Sequence, residues 1–101
     1  MGECRYLLPK TVDLASVDEV RSELRALLRS QESDVVVDCT RTDFIDSTGV
    51  AVLLEANQEL VDSGRRLVLD HVNSGPRRVL EILGLTDLVR DDARVARMPR
   101  A

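Results

Sequence analysis

Val35-Val36-Val37 runs between Asp34 and Asp38. It is followed by Cys39-Thr40-Arg41-Thr42-Asp43-Phe44-Ile45-Asp46-Ser47-Thr48-Gly49-Val50, and this stretch decides the fold. A short, continuous β-branched run predicts a central strand covered on both faces. Thr40 to Asp43 reads as a loop, and Phe44-Ile45 as a short apolar step. Ser47-Thr48-Gly49 then opens a helix whose predicted buried stripe is Val50, Leu53, Leu54, Leu60 and Val61, stopped at Ser63-Gly64.

Working outward, Cys4 to Leu8 is an apolar run closed by Pro9, a first or edge strand. Ser16-Val17-Asp18-Glu19 has the form of a capping box. Val17, Val20, Leu24, Leu27 and Leu28 follow at helical spacing, with Arg21, Glu23 and Arg25 between them. Downstream, Leu67-Val68-Leu69 reads as another buried strand. Gly75-Pro76 reads as N-cap and first helical residue, and Val79, Leu80 and Leu83 as a third stripe ended by Gly84, with Leu85 packing back. Arg94-Val95-Ala96 reads as a last strand and the tail from Arg97 as frayed. The order is β-α-β-α-β-α-β. It predicts an α/β fold: a small, mainly parallel or mixed sheet of about four strands with helices packed against it. One domain spanning residues 1–101 is expected from the length.

Composition removes several function classes. With 14 Lys+Arg against 18 Asp+Glu the net charge is −4, which argues against direct nucleic-acid binding. The longest apolar run, Val50 to Leu54, is far short of a membrane span, so no membrane insertion is expected. No secretory leader opens the chain, which predicts a cytoplasmic protein with Cys4 and Cys39 reduced. One histidine, His71, and no CxxC leave no metal site, and no cofactor is called for. His71, after a strand, reads as a solvated loop residue. No base–nucleophile pair accompanies Ser47, so no catalytic residues and no enzyme are expected. A response-regulator receiver, another acidic α/β unit, needs a late lysine, and the only lysine is Lys10.

The segment from Thr42 to Gly49 leaves a buried strand and enters a helix at a hydroxyl pair followed by glycine, where α/β sheets gather ligands and chemistry. Free amides at that helix head could hold an anion, including a phosphoryl group on serine. Folding alone offers another account: Ser47 caps the helix, Asp46 orders the turn and Gly49 relieves crowding. Ala51, Val52 and Ala56 lie off the predicted stripe and are candidates for partner contact, or for a half-buried helix flank. Asp38 reads as capping a strand end.

Asp43-Phe44-Ile45-Asp46-Ser47-Thr48-Gly49-Val50-Ala51-Val52-Leu53 resembles the signature of STAS domains, specifically the bacterial anti-sigma factor antagonists. Pro76-Arg77-Arg78-Val79-Leu80-Glu81-Ile82-Leu83-Gly84-Leu85-Thr86-Asp87-Leu88 is similar to the family's third helix and its Gly-Leu ending. The resemblance implies a partner switch. The unphosphorylated antagonist binds an anti-sigma factor that is also a kinase of the histidine-kinase-like ATPase type, freeing a sigma factor for transcription. The kinase phosphorylates the first hydroxyl after the signature Asp, and a phosphoserine phosphatase restores it. That position is Ser47, with Thr48 the lesser candidate, and Asp43, Asp46 and Gly49 as its surroundings. The family usually carries Gly-Glu-Leu-Asp after two strands. Here the matching stretch is Lys10-Thr11-Val12-Asp13, which carries over Asp13 as an acid near the phosphoacceptor, and one strand run precedes it. Such a front end leaves an edge through which a homodimer could form. The alternative within the family is an interaction subunit of a lipid-transporter or stress-signalling complex, without obligatory phosphorylation.

Overall fold

A computed structural model describes residues Glu3–Arg90. In chain order the elements are β1 (Glu3–Leu7), β2 (Thr11–Val12), α1 (Val17–Ser30), β3 (Asp34–Asp38), β4 (Phe44–Ile45) and α2 (Ser47–Asp62). They continue with β5 (Leu67–Asp70), α3 (Ser74–Ile82), a 3-10 turn at Thr86–Leu88 and β6 (Val89–Arg90). A four-stranded sheet runs β1-β3-β5-β6 with every pairing parallel, and β2 pairs with β4 in a separate parallel ladder. The predicted α/β order is present, with its fourth strand formed at Val89–Arg90 and this second ladder added to it. The expected strand at Arg94–Ala96 and the tail from Arg97 lie outside the described residues.

β3 is the centre of the molecule. Val35, Val36 and Val37 have no exposed surface, as a strand covered on both faces requires. Val35, Val37, Leu67 and Leu69 pack with Val20 and Leu24 of α1 and Leu53 and Leu60 of α2 in the main core. Strand alternation turns Val36 to the other face, with Arg5, Asp38, Asp70 and Arg90 around it.

Two helix starts differ from expectation. Ser16 precedes α1, but its hydroxyl donates to the Thr11 carbonyl (2.9 Å) and accepts from the Asp13 amide (3.1 Å) rather than capping the first turn. Its backbone is already helical, at φ −113° and ψ −8°, so the side chain points back toward β2. At α3 the N-cap position is Asn73, and Gly75 and Pro76 lie within the first turn, where a missing N–H costs nothing. The other end of α3 matches the sequence reading. Gly84 has φ +73°, and Leu85 donates its amide to the Leu80 carbonyl at 2.8 Å, closing a Schellman turn.

Candidate functional site

The site is the junction of β4 with the head of α2, and the short β2–β4 ladder fixes it. Val12 lies opposite Ile45, and the Asp46 amide donates to the Val12 carbonyl at 3.1 Å. Asp13 thus continues beside Asp46, bringing together acids 33 residues apart in the chain (46 − 13). Gly49 makes the contact close. A Cβ there would stand 2.7 Å from a side-chain carbon of Ile45 and 2.7 Å from one of Val12.

The β3–β4 loop is pegged at several points. Thr42 is fully buried, and its hydroxyl donates to the carbonyls of Pro9 (2.8 Å) and Leu8 (3.3 Å). The Asn73 side-chain amide donates to the carbonyls of Thr40 (2.9 Å), Thr42 (3.0 Å) and Cys39 (3.3 Å). Thr42 opens the segment singled out in the sequence, but neither its anchoring role nor that of Asn73 is legible there. Short polar side chains that satisfy backbone at long range carry no local signal.

Asp46, not Ser47, is the N-cap of α2. Its Oδ1 accepts from the amides of Thr48 (3.0 Å) and Gly49 (3.1 Å) and from the Thr48 hydroxyl (2.6 Å). The Thr48 hydroxyl, then the Gly49 amide, hold the carboxyl below its usual range. The Thr48 and Gly49 amides of the first turn are therefore already engaged by a carboxylate. Ser47 is exposed, and among the described residues no hydrogen bond engages its hydroxyl. Asp13 accepts from the Ala15 amide at 3.0 Å, and Asp43 sits exposed, 3.6 Å from an exposed Lys10 ammonium.

Helix α2 corrects part of the sequence reading. Ala51 is exposed, but Val52 and Ala56 are only 2% and 5% exposed and are not surface residues. α1 packs along this flank, in a crevice that Val52 and Ala56 share with Leu24, Arg21 and Arg25. Leu54 (38%) and Val61 (49%), expected in the core, face outward instead. Ser47, Ala51, Leu54, Gln58 and Val61 step by four, three, four and three residues, so they share one exposed helix face. Phe44 and Leu14 are further large exposed apolar side chains on the segments that flank the site.

Away from the site, Cys4 and Cys39 are free thiols, and burial pushes the Cys39 thiol up to about 12. His71 is exposed at φ +57°, with Nε2 3.6 Å from an Asp70 oxygen. Asp38 accepts from the Thr40 amide (2.9 Å) and from Arg5 (3.1 Å). Asp70, 9% exposed at its side chain, receives Arg5 at 3.3 Å and Arg90 at 3.1 Å, and Arg90 reaches on to Glu3 at 2.6 Å. Among the described residues no helix is long and apolar enough to cross a membrane, and no group of His, Cys, Asp and Glu could hold a metal.

A parallel α/β layer with an exposed serine at a capped helix head defines the class as a small α/β domain. The chain belongs to the STAS domain family: the family model described as MlaB, STAS domain, matches residues 9–90. A Bordetella bronchiseptica protein, BtrV, described as an anti-sigma factor antagonist, is 32% identical over 81 residues, covering 80% of this chain and 70% of that protein. Two crystal structures share the fold. One, from Thermotoga maritima and described as an anti-sigma factor antagonist, superposes with a TM-score of 0.74 at 15% identity over 94% of this chain and 86% of that one. The other, a sulfate transporter family protein from Wolinella succinogenes, superposes with a TM-score of 0.69 at 21% identity over 88% and 76%.

Proposed function

We propose that this chain is a cytoplasmic anti-sigma factor antagonist, a single STAS domain over residues 1–101 that performs no chemistry of its own. Unphosphorylated, it docks on an anti-sigma factor of the histidine-kinase-like ATPase type and releases the sigma factor. Phosphorylation at Ser47 undocks it, and a phosphoserine phosphatase resets it. The observation that carries this reading is the exposed, unengaged Ser47 hydroxyl at one end of the outward face of α2. The similarity to BtrV supports it.

The switch needs no refolding. A phosphoserine adds about −1.5 to −2 charges. The amides of Thr48 and Gly49 already serve Asp46, so the new charge stands outward among Asp13, Asp43 and Asp46. At a contact surface it must be desolvated, and a loss of ~3 kcal/mol lowers affinity more than a hundredfold. Ala51, Leu54 and Val61 supply the apolar part of the docking face. Incubation with ATP and histidine-kinase-like anti-sigma factors, followed by mass spectrometry, tests the reading. Phosphate on Ser47 is expected, and its absence with every such kinase overturns it.

A second reading, an interaction subunit of a lipid-transporter or stress-signalling complex, is favoured by the likeness to the Wolinella transporter-family protein. Recovery of transporter ATPase subunits with the unmodified chain, and no kinase, would select it.

A further inference from the structure

The two hydroxyls at the head of α2 are neighbours in sequence and unequal in situation. Thr48 is half-buried, and its Oγ1 donates to Asp46 Oδ1 at 2.6 Å. The same oxygen holds the amides of Thr48 and Gly49 at 3.0 and 3.1 Å, so the acceptor cannot follow if the threonine turns. Ser47, one position earlier, is exposed and has no such tether among the described residues.

We propose that Asp46 is a positioning residue that selects Ser47 as the phosphoacceptor by withholding the Thr48 hydroxyl. This rests on the reading of Ser47 as the modified residue. In the transfer, Ser47 Oγ forms a bond to the γ-phosphorus of ATP. The bond from that phosphorus to the β,γ-bridging oxygen breaks, ADP leaves, and the hydroxyl proton passes to a base of the kinase or to water. Attack must be roughly in line with the leaving oxygen. Donating to a carboxylate leaves the Thr48 oxygen its lone pairs, so the handicap is geometric. The half-buried oxygen is turned into the helix head by its bond to Asp46, and both its burial and its fixed rotamer oppose in-line approach to the phosphorus. Ser47 carries neither handicap.

The experiment compares the wild-type chain with Asp46→Ala and Asp46→Asn. Asparagine keeps a capping oxygen in place and alanine removes it. Within each chain, mass spectrometry reads phosphate on Thr48 relative to Ser47 after incubation with an anti-sigma kinase and ATP, a ratio in which changed kinase recognition cancels. In parallel, NMR scalar couplings read the Thr48 χ1 rotamer. The wild type and Asp46→Asn should show a single χ1 rotamer and phosphate confined to Ser47. Asp46→Ala should show an averaged rotamer and a Thr48 share raised about tenfold, the scale of one lost hydrogen bond. A wild-type Thr48 that already averages its rotamers overturns the inference, as does an unchanged ratio in Asp46→Ala. If no kinase modifies any chain, the functional reading fails, and the couplings alone decide whether Asp46 holds Thr48.

Discussion

Asp70 and Asp46 are both held below the usual carboxylate range, by opposite means. Burial pushes Asp70 up, but the Arg90 guanidinium, His71 and Arg5 together outweigh it. Asp46 is held by a hydroxyl and two amides, with no ion pair to it among the described residues. One carboxylate is neutralised and belongs to the frame of the sheet. The other keeps its charge at the surface, beside Asp13, and among the described residues the ion pair nearest to it in sequence is the exposed Lys10–Asp43 pair. On the proposed reading, charge left uncompensated marks the working end of this domain. Charge cancelled by arginine marks its scaffold.

The strongest way to break this contrast is to add charge at the working end. Ser47→Asp should weaken binding of the partner kinase more than a hundredfold relative to Ser47→Ala, about 3 kcal/mol in calorimetric titration, while the urea midpoints of the two variants stay nearly equal. Equal affinities for the two variants would remove the electrostatic switch. The reverse experiment is made at the scaffold. Asp70→Asn leaves Arg5 and Arg90 without their shared partner and should cost about 1–3 kcal/mol in urea unfolding, with partner affinity unchanged.

Acid sharpens the same contrast. Asp38, Asp46 and Asp70 all have depressed folded pKa values, so each contributes stability that is full above the unfolded carboxylate value, about 3.9. That contribution is lost as pH falls through the folded values. The urea midpoint of the wild type should therefore decline below about pH 4. Asp70→Asn, lacking one of the three, should show a shallower decline in the same titration. The smallest effect is ionic. Added salt should narrow the affinity gap between Ser47→Asp and Ser47→Ala, since the Debye length is about 10 Å at 0.1 M. A gap insensitive to salt would mean bulk, not charge, does the separating.

Much of the scaffold was legible because it is periodic. The β-branched run of β3, the polar breaks of α1 and the Gly84-Leu85 closure each have a local physical cause. The β2–β4 ladder does not: two residues per strand are too few for alternation to register. The phase of α2 was misread for a related reason. Val50 to Leu54 is apolar without interruption, so the run has no intrinsic inner face, and contact with α1 decides that Val52 goes in and Leu54 out. That Ser47 stands at a helix start was readable from the sequence, whereas the cap by Asp46 depended on where the helix began. Arg5, Asp70 and Arg90 meet only because parallel strands bring three distant segments side by side.

The pegs at Thr42 and Asn73 have a consequence for association. A flexible loop must be frozen when a partner arrives, and the lost conformational entropy subtracts from affinity. Here the carbonyls of Cys39, Thr40 and Thr42 are immobilised by one side-chain amide, and Thr42 itself is anchored to the turn after β1. The ordering has been done during folding, so a docking surface at the helix head that follows this loop, as proposed above, would be preorganised. Loosening it through Asn73→Ala should then appear mainly as a less favourable binding entropy, with little change in the enthalpy of contacts made at the serine.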